Sequence, residues 1–449
     1  MIELTKSTLR YSWALSMLGL QETMGVFGGP ARGPEAGGGA GTEQQPGSSL
    51  TAPEEHLRDL YKAAYEAGDK VQADFLDSVA HYLSPSALYD PSTALRLGSE
   101  LVWDMADAMR FFWPDTKTLV AWRELRNKVD VYQLVRAVEK KLRLPREGEI
   151  DLAEYVAKAY DLGPYAALWA VEGLGHDYAD SIRERGGELK GILQGERIAG
   201  IPAKSLLMLH AGIGLSFAQR PMESFTAKTP EAELHAFLDE FIRLCEVNSE
   251  PGYAGAALES LGLVTRTFHS ELVPAVDSYL GEKDPRVQGF FWHGVGRAIY
   301  FLLVNFLPYK DPVWRAVEMG RKEAPHDSAR NNVLAGTAWA LTLVNMRQPE
   351  VMATFLEEHG AELMPVRDAF ANGVASSVVM RYDTSPDDPN IETFRTYRPG
   401  GADRRTTDYW EKLIKASMDK AIDRYHPALL QRRKLDEVFR FQSLDELVG

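Results

Sequence analysis

The stretch WHGVGRAIYF, residues 292–301, decides the predicted fold because its pattern returns five more times along the chain. The other copies are VEGLGHDYA at 171–179, HAGIGLSFA at 210–218, LESLGLVTR at 258–266, LAGTAWALT at 334–342 and ANGVASSVV at 371–379. Their first small residues lie 34 to 48 residues apart, about 40 on average, a period typical of repeat arrays. Because no sustained period-two alternation is found, we predict an all-α fold. The expected architecture is a solenoid-like array of about six helical-hairpin repeats with a helical N-terminal block.

Length and composition limit the classes of protein to which the chain can belong. Its 449 residues are 45% hydrophobic and 25% charged, as in ordinary folded domains. The net charge of −14 argues against a nucleic-acid surface, since phosphate binding requires a concentrated positive face. The one cysteine, Cys245, excludes an intrachain disulfide, and no apolar run in the sequence is long enough to span a membrane. We therefore expect a cytoplasmic protein without a cofactor or a nucleic-acid partner.

The chain is predicted to contain five segments. An amphipathic N-terminal helix over 1–25 precedes a flexible linker over 26–52, which is dominated by Gly, Pro, Ala, Gln and Ser. Helical periodicity continues through an N-terminal block at 53–145 and through the repeat array at 146–385. A loop and a C-terminal helix are expected at 386–449.

Paired small residues within the motif indicate close packing of helices. A glycine inside a helix costs about 1 kcal/mol relative to alanine, so a recurring pair implies a gain from close approach. Residues i and i+2 point about 200° apart around a helix, so each pair should contact neighbours on opposite flanks. The pairs are Gly173 with Gly175, Gly212 with Gly214, and Gly294 with Gly296. They lack the third glycine and the preceding strand of a dinucleotide-binding loop.

Candidate ligand-binding residues occupy two positions of the motif. The residue before the first small residue and the residue four positions later lie on one face of a helix. Stacked repeats would direct these positions the same way, towards a shared line. The polar side chains selected by this argument are Glu172, His176, Glu259, His293 and Arg297, together with His210, one position earlier in its copy.

Two interpretations of these polar side chains remain open, because polar groups in apolar helices must be hydrogen-bonded or line a solvated cavity. The first is an internal hydrogen-bond network in which Glu172 pairs with His293 or Arg297. The second is a groove for an acidic or hydroxylated ligand, with Arg297 as an anion anchor and Glu172 and His293 as acid and base. A metal site from Glu172, His176 and His293 matches no recognised ligand spacing, and no metal is expected.

The copies HAGIGLSFA, WHGVGRAIYF and LAGTAWALTL resemble a bacterial domain family of unknown function that is found beside the polyketide synthases of enediyne biosynthesis. The resemblance covers about residues 160–385 and is strongest from Gly294 to Phe301, whereas Ser260 stands where that family has glycine. It implies a helical accessory protein near lipid or polyketide metabolism. It assigns no catalytic residue to this chain.

Three functions follow from these features. The first is a non-catalytic accessory or scaffold protein that binds a hydrophobic small molecule, an acyl chain or a protein partner. The second is an enzyme with an acid/base pocket around Glu172, His293 and Arg297. The third is a membrane-surface or granule-surface adaptor, because nothing nearby in sequence covers the apolar side of residues 3–24.

Overall fold

The structure is a computed structural model that describes residues 120–121, 123–131, 134, 142–145, 147–306, 311–400 and 403–449. All of these residues belong to one of the two compact units into which the chain divides. The predicted N-terminal helix, the predicted linker and most of the predicted N-terminal block lie outside the described residues.

Helices are the only regular elements among the described residues, and the all-α prediction is confirmed. After helical residues between 120 and 134, the main helices are α1 (Leu152–Tyr160), α2 (Pro164–Glu184), α3 (Leu206–Met222), α4 (Glu231–Val247), α5 (Ala254–Phe268), α6 (Val273–Lys283), α7 (Pro285–Tyr300), α8 (Pro312–Glu323), α9 (Asp327–Asn345), α10 (Glu350–Leu363), α11 (Arg367–Thr384) and α12 (Pro389–Thr396). Within this part of the chain, no helix is long and apolar enough to cross a membrane.

The C-terminal region contains more helix than the predicted loop and single helix at 386–449. Besides α12, it contains α13 (Arg404–Trp410), α14 (Ala416–Lys420) and α15 (His426–Gln431), joined by π-helical turns at Glu411–Lys415 and Ala421–Tyr425. A 3₁₀ turn at Leu435–Phe439 and the short α16 (Leu444–Val448) complete it. The loop expected after residue 386 is thus interrupted by α12.

Acidic caps and prolines begin several of these helices. Asp151 accepts a hydrogen bond from the backbone N–H of Glu154 at 3.1 Å and caps α1. Asp284 caps α7 in the same way, and Pro285 follows at the first helical position. An acidic side chain satisfies free N–H groups there and interacts favourably with the positive end of the helix dipole.

All six copies of the motif lie inside helices: α2, α3, α5, α7, α9 and α11. Each of these motif helices packs along the next one in the row. From α3 onward, the chain forms one further helix between each motif helix and the next in sequence, namely α4, α6, α8 and α10. Only 3₁₀ turns separate α2 from α3. The prediction of six equivalent repeats stays a prediction.

Paired glycines bring the backbones of neighbouring motif helices into contact. A β-carbon on Gly212 would overlap the carbonyl oxygen of Glu172 on α2, and one on Gly214 would overlap that of Ala257 on α5. These two glycines of α3 therefore face opposite neighbours, as the 200° separation predicts.

Of the other two glycine pairs, one contacts neighbouring helices on both flanks and one contacts a neighbour on a single flank. Gly294 faces α5 and Gly296 faces α9, so this pair also contacts both flanks. In the first copy, Gly175 contacts the backbone of Leu209 on α3, but a β-carbon on Gly173 would meet no described atom within 4 Å. The expectation of two close flanks is therefore wrong for Gly173, since α2 is the first helix of the row.

The first and last motif helices also touch. Arg381 and Ser385, at the end of α11, both donate hydrogen bonds to the carbonyl oxygen of Pro164 at the start of α2, at 2.8 and 2.9 Å. Arg381 is in turn paired with the buried carboxylate of Asp388. The row of motif helices consequently curves back towards its own beginning.

A C-terminal segment, residues 435–442, crosses the N-terminal parts of four motif helices, and we call it the strap. Asp436 accepts a hydrogen bond from the N–H of Gly255 on α5 at 2.7 Å, and Glu437 pairs with Arg286 on α7 at 2.9 Å. The N–H of Phe441 donates to the side chain of Asn332 on α9 at 2.7 Å. The carbonyl oxygen of Gln442 accepts from the side chain of Asn372 on α11 at 2.8 Å. The strap thus ties α5, α7, α9 and α11 together at one end.

Candidate functional site

Four of the six predicted site residues converge in the interior, and we call them the central cluster: Glu172 of α2, Glu259 of α5, and His293 and Arg297 of α7. Arg297 donates from Nη1 to Oε2 of Glu259 at 2.5 Å and from Nη2 to Oε1 of Glu172 at 3.5 Å. Nδ1 of His293 lies 2.9 Å from the other oxygen of Glu259. All four residues are at most 2% exposed. The two motif positions therefore do meet, across three helices.

Two aromatic side chains complete the surroundings of the central cluster. The guanidinium of Arg297 lies over the ring of Trp339, 4.3 Å from its centroid, in a cation–π arrangement. The ring of His293 meets those of Trp339 and Phe439 edge-on, at centroid distances of 6.3 and 6.1 Å. Trp339 of α9 occupies the motif position equivalent to Arg297. Phe439 belongs to the strap, and no sequence signal pointed to it.

Burial controls the protonation of the central cluster. It raises the pKa of Glu172 to about 7, against the opposing effect of Arg297. It also lowers the pKa of His293, although contact with Glu259 favours the protonated ring. For Arg297, burial alone would lower the pKa, but the carboxylates of Glu259 and Glu172 outweigh it and raise the value. Near neutral pH, Arg297 is therefore positively charged, the imidazole of His293 is neutral, and the carboxyl group of Glu172 titrates.

Several buried polar atoms at the two motif positions have no hydrogen-bond partner among the described residues. They are Oε2 of Glu172, Nε2 of His293, Nε of Arg297, Nε1 of Trp339, Oδ1 of Asn372 and Oγ of Ser376. These atoms come from four helices: α2, α7, α9 and α11. Buried polar groups without partners are uncommon in folded proteins, so these atoms are the ones available to a bound molecule.

The remaining two predicted site residues, His176 and His210, lie elsewhere. His176 is half-buried, and its Nε2 lies 3.2 Å from the side-chain oxygen of Gln219 on α3. His210 is buried, with Nδ1 against the carbonyl oxygen of Leu206 at 2.6 Å and Nε2 accepting from the N–H of Glu250 at 3.2 Å. Burial lowers the pKa of His210 to about 4, so it is a neutral, structural side chain.

Metal-ligating side chains come together at a different place. Across the described ranges, the one group of three with ligand atoms within 4.8 Å of one another is Asp311, Glu358 and His359. Nε2 of His359 lies 2.6 Å from a carboxylate oxygen of Asp311, and its ring stacks on Trp314 at 4.2 Å. His176 is absent from the central cluster, so the set Glu172, His176 and His293 is not assembled.

Comparisons of the chain with family models, with curated proteins and with solved structures give no match. Chemically, the central cluster offers hydrogen bonds, an acidic group that titrates near neutral pH, and aromatic surfaces, all enclosed by apolar helices.

Proposed function

We propose that the chain is a non-catalytic accessory protein that binds a small molecule between its motif helices. The polar group of the ligand would lie at the central cluster, and its apolar body would lie among the aliphatic and aromatic side chains around it. The observation that carries this proposal is the set of buried polar atoms without partners, at equivalent positions of four motif helices.

Unpartnered polar atoms inside the protein lower its stability. A buried donor or acceptor left without a hydrogen bond costs about 1–3 kcal/mol. A ligand that bonds even two of these atoms, such as Oε2 of Glu172 and Nε2 of His293, would recover that cost on binding. Such a protein would be less stable when empty and more stable when loaded.

A non-catalytic role is favoured by the pairing within the cluster. Glu259 interacts with both His293 and Arg297, and Arg297 also contacts Glu172. These three contacts hold the acid, the base and the cation against one another. Binding needs only the unused atoms of these groups, so it leaves these contacts in place.

An enzyme with an acid/base pocket around Glu172, His293 and Arg297 is the second candidate. One observation favours it: the pKa of Glu172 is raised to about 7, which suits a general acid or base at neutral pH. The unused Nε2 of His293 could accept a proton from a bound substrate. In that case the ligand would be changed chemically rather than only held.

Native mass spectrometry of the full chain tests the proposal. We expect the wild-type protein to carry a small molecule that is lost in the His293→Gln variant. The matched control is His235→Gln, the same substitution at a half-buried histidine of α4, and this variant should retain the molecule. A wild-type spectrum that contains only the apo mass would contradict the proposal. Recovery of a chemically altered ligand after incubation would favour the enzyme.

The metabolic origin of the ligand and the location of the protein are also part of the proposal. The resemblance noted in the sequence supports a ligand from lipid or polyketide metabolism and a cytoplasmic accessory role. Binding of a protein partner stays a prediction. The adaptor function stays one as well, since residues 3–24 lie outside the described residues.

A further inference from the structure

We infer that the ligand of the central cluster carries a hydrogen-bond donor without negative charge, a hydroxyl or a protonated amine, on an apolar body. This inference rests on the proposed function and names the class of molecule that the same site accepts. It departs from the role of Arg297 as an anion anchor, one of the alternatives that the sequence leaves open.

The positive charge of Arg297 is already matched by two carboxylates. One nitrogen of its guanidinium donates to Glu259 at 2.5 Å, and another lies 3.5 Å from Glu172. Its face is covered by Trp339 at 4.3 Å. An anionic ligand would have to displace one of these carboxylates, and the displaced carboxylate would then be buried without its cation. Such an exchange is unfavourable in a buried site.

The net charge of the central cluster also disfavours an anionic ligand. The residues in contact are two glutamates, one arginine and one histidine, and burial lowers the pKa of His293. With His293 neutral and Glu259 paired to Arg297, the charge is set by Glu172. It is zero when Glu172 is protonated and −1 when it is ionised. An anion is therefore never attracted, and a cation is attracted in the ionised state.

The direction of the hydrogen bonds in the cluster favours a donor on the ligand. A carboxylate only accepts, so Nδ1 of His293, 2.9 Å from Glu259, carries the hydrogen, and Nε2 is left as an acceptor. The unused oxygen of Glu172 is a second acceptor on another helix. These two acceptors call for a donor group on the ligand, and a hydroxyl could also accept from the unused N–H groups of Arg297 and Trp339. The rings of Trp339 and Phe439 beside His293 suit an apolar body or a cation.

A series of probes with the same ten-carbon chain tests the inference. Binding of decan-1-ol, decylamine and decanoate to the full-length protein at pH 8 is measured by isothermal titration calorimetry. We expect the alcohol and the amine to bind at least about tenfold more tightly than the acid, because only the acid places a second negative charge beside Glu172. In Glu172→Gln the preference of the amine over the alcohol should fall, whereas Glu323→Gln, in a pair outside the cluster, should change neither.

The outcomes separate the two proposals. If decanoate binds as tightly as the alcohol and the amine, the inference about ligand charge is overturned and the binding function stands. If the folded wild-type protein binds none of the three probes, the binding function itself is overturned. Should Glu172→Gln fail to fold, the wild-type protein at pH 6 provides the same comparison, since protonation of Glu172 should weaken amine binding and spare the alcohol.

Discussion

Arg297 of α7 reaches Glu172 of α2, 125 positions earlier in the chain, with 3.5 Å between Nη2 and Oε1. These two helices are not successive in the row of motif helices, since α3 and α5 lie between them. The contact is therefore possible only because the row curves. It places the central cluster on the inner side of that curve, where equivalent motif positions face one another.

Removal of the Arg297 charge should destabilise the fold strongly. In Arg297→Met the carboxylates of Glu259 and Glu172 would stay buried without their cation, and the loss of one partner from a buried pair costs about 3–5 kcal/mol. The free energy of unfolding from urea titration measures the effect. As a control, Arg243→Met on α4 removes an exposed ion pair with Glu240 and should leave stability unchanged within error. Equal stability of the two variants would contradict the structural role of the central cluster.

The titration of Glu172 should give the protein a characteristic pH dependence. The ordinary pKa of this carboxyl is 4.5, and burial raises it to about 7 in the folded state. The folded protein thus binds the proton more tightly than the unfolded chain, and stability falls as pH rises from 4.5 to 7. Above pH 7 the full penalty applies, roughly 3 kcal/mol for a shift of this size.

Glu172→Gln isolates this contribution, because glutamine stays neutral throughout. We expect the difference in stability between wild type and variant to move in favour of the variant as pH rises from 4.5 to 7, and to level off above pH 7. Thermal melts at several pH values measure that difference. Parallel wild-type and variant profiles would show that Glu172 titrates normally in the folded state.

The sequence could predict the helices of the motif and four of the six site residues because both depend on local spacing. Positions four apart share a helix face, and packed motif helices align those faces. His176 lies outside the cluster, with its Nε2 3.2 Å from the side-chain oxygen of Gln219 on α3, although Arg297 at the equivalent position of α7 lies inside it. The four-residue spacing therefore does not by itself decide which side chains reach the cluster. His210, one position earlier in its copy, is rotated away and is used by the backbone of Leu206 and Glu250.

Phe439 and the strap could not be found this way. The ring of Phe439 meets His293 across 146 positions of sequence, and such a contact leaves no local pattern. Ser260 replaces the glycine of the motif, and the structure explains this replacement. Its hydroxyl donates to the carbonyl oxygen of Ala211 on α3 at 3.0 Å, so a small polar residue can replace the small apolar one at a close approach.

Alanine substitutions should distinguish close helix contacts from open positions. In Gly212→Ala the new β-carbon would overlap the backbone of Glu172, and a forced separation of α2 and α3 should destabilise the protein by about 1–3 kcal/mol. In Gly173→Ala no described atom lies within 4 Å of the new β-carbon, and alanine should stabilise the helix by up to about 1 kcal/mol. Denaturant titration of both variants gives the comparison, and equal effects would show that α2 and α3 are not in close backbone contact.

The hydrogen bond between Asn332 and the strap should control local opening at that end of the motif helices. The side-chain oxygen of Asn332 accepts from the N–H of Phe441 at 2.7 Å, and Asn332→Ala would leave that N–H without its acceptor. A lost hydrogen bond of this kind costs about 1–3 kcal/mol, so we expect faster amide hydrogen exchange over residues 435–442 while the motif helices stay protected. Asn390→Ala, which removes only a local contact with Asp388, should leave exchange in the strap unchanged. Slow exchange of the strap in Asn332→Ala would mean that its other anchors, at Gly255, Arg286 and Asn372, are sufficient to hold it on the helices.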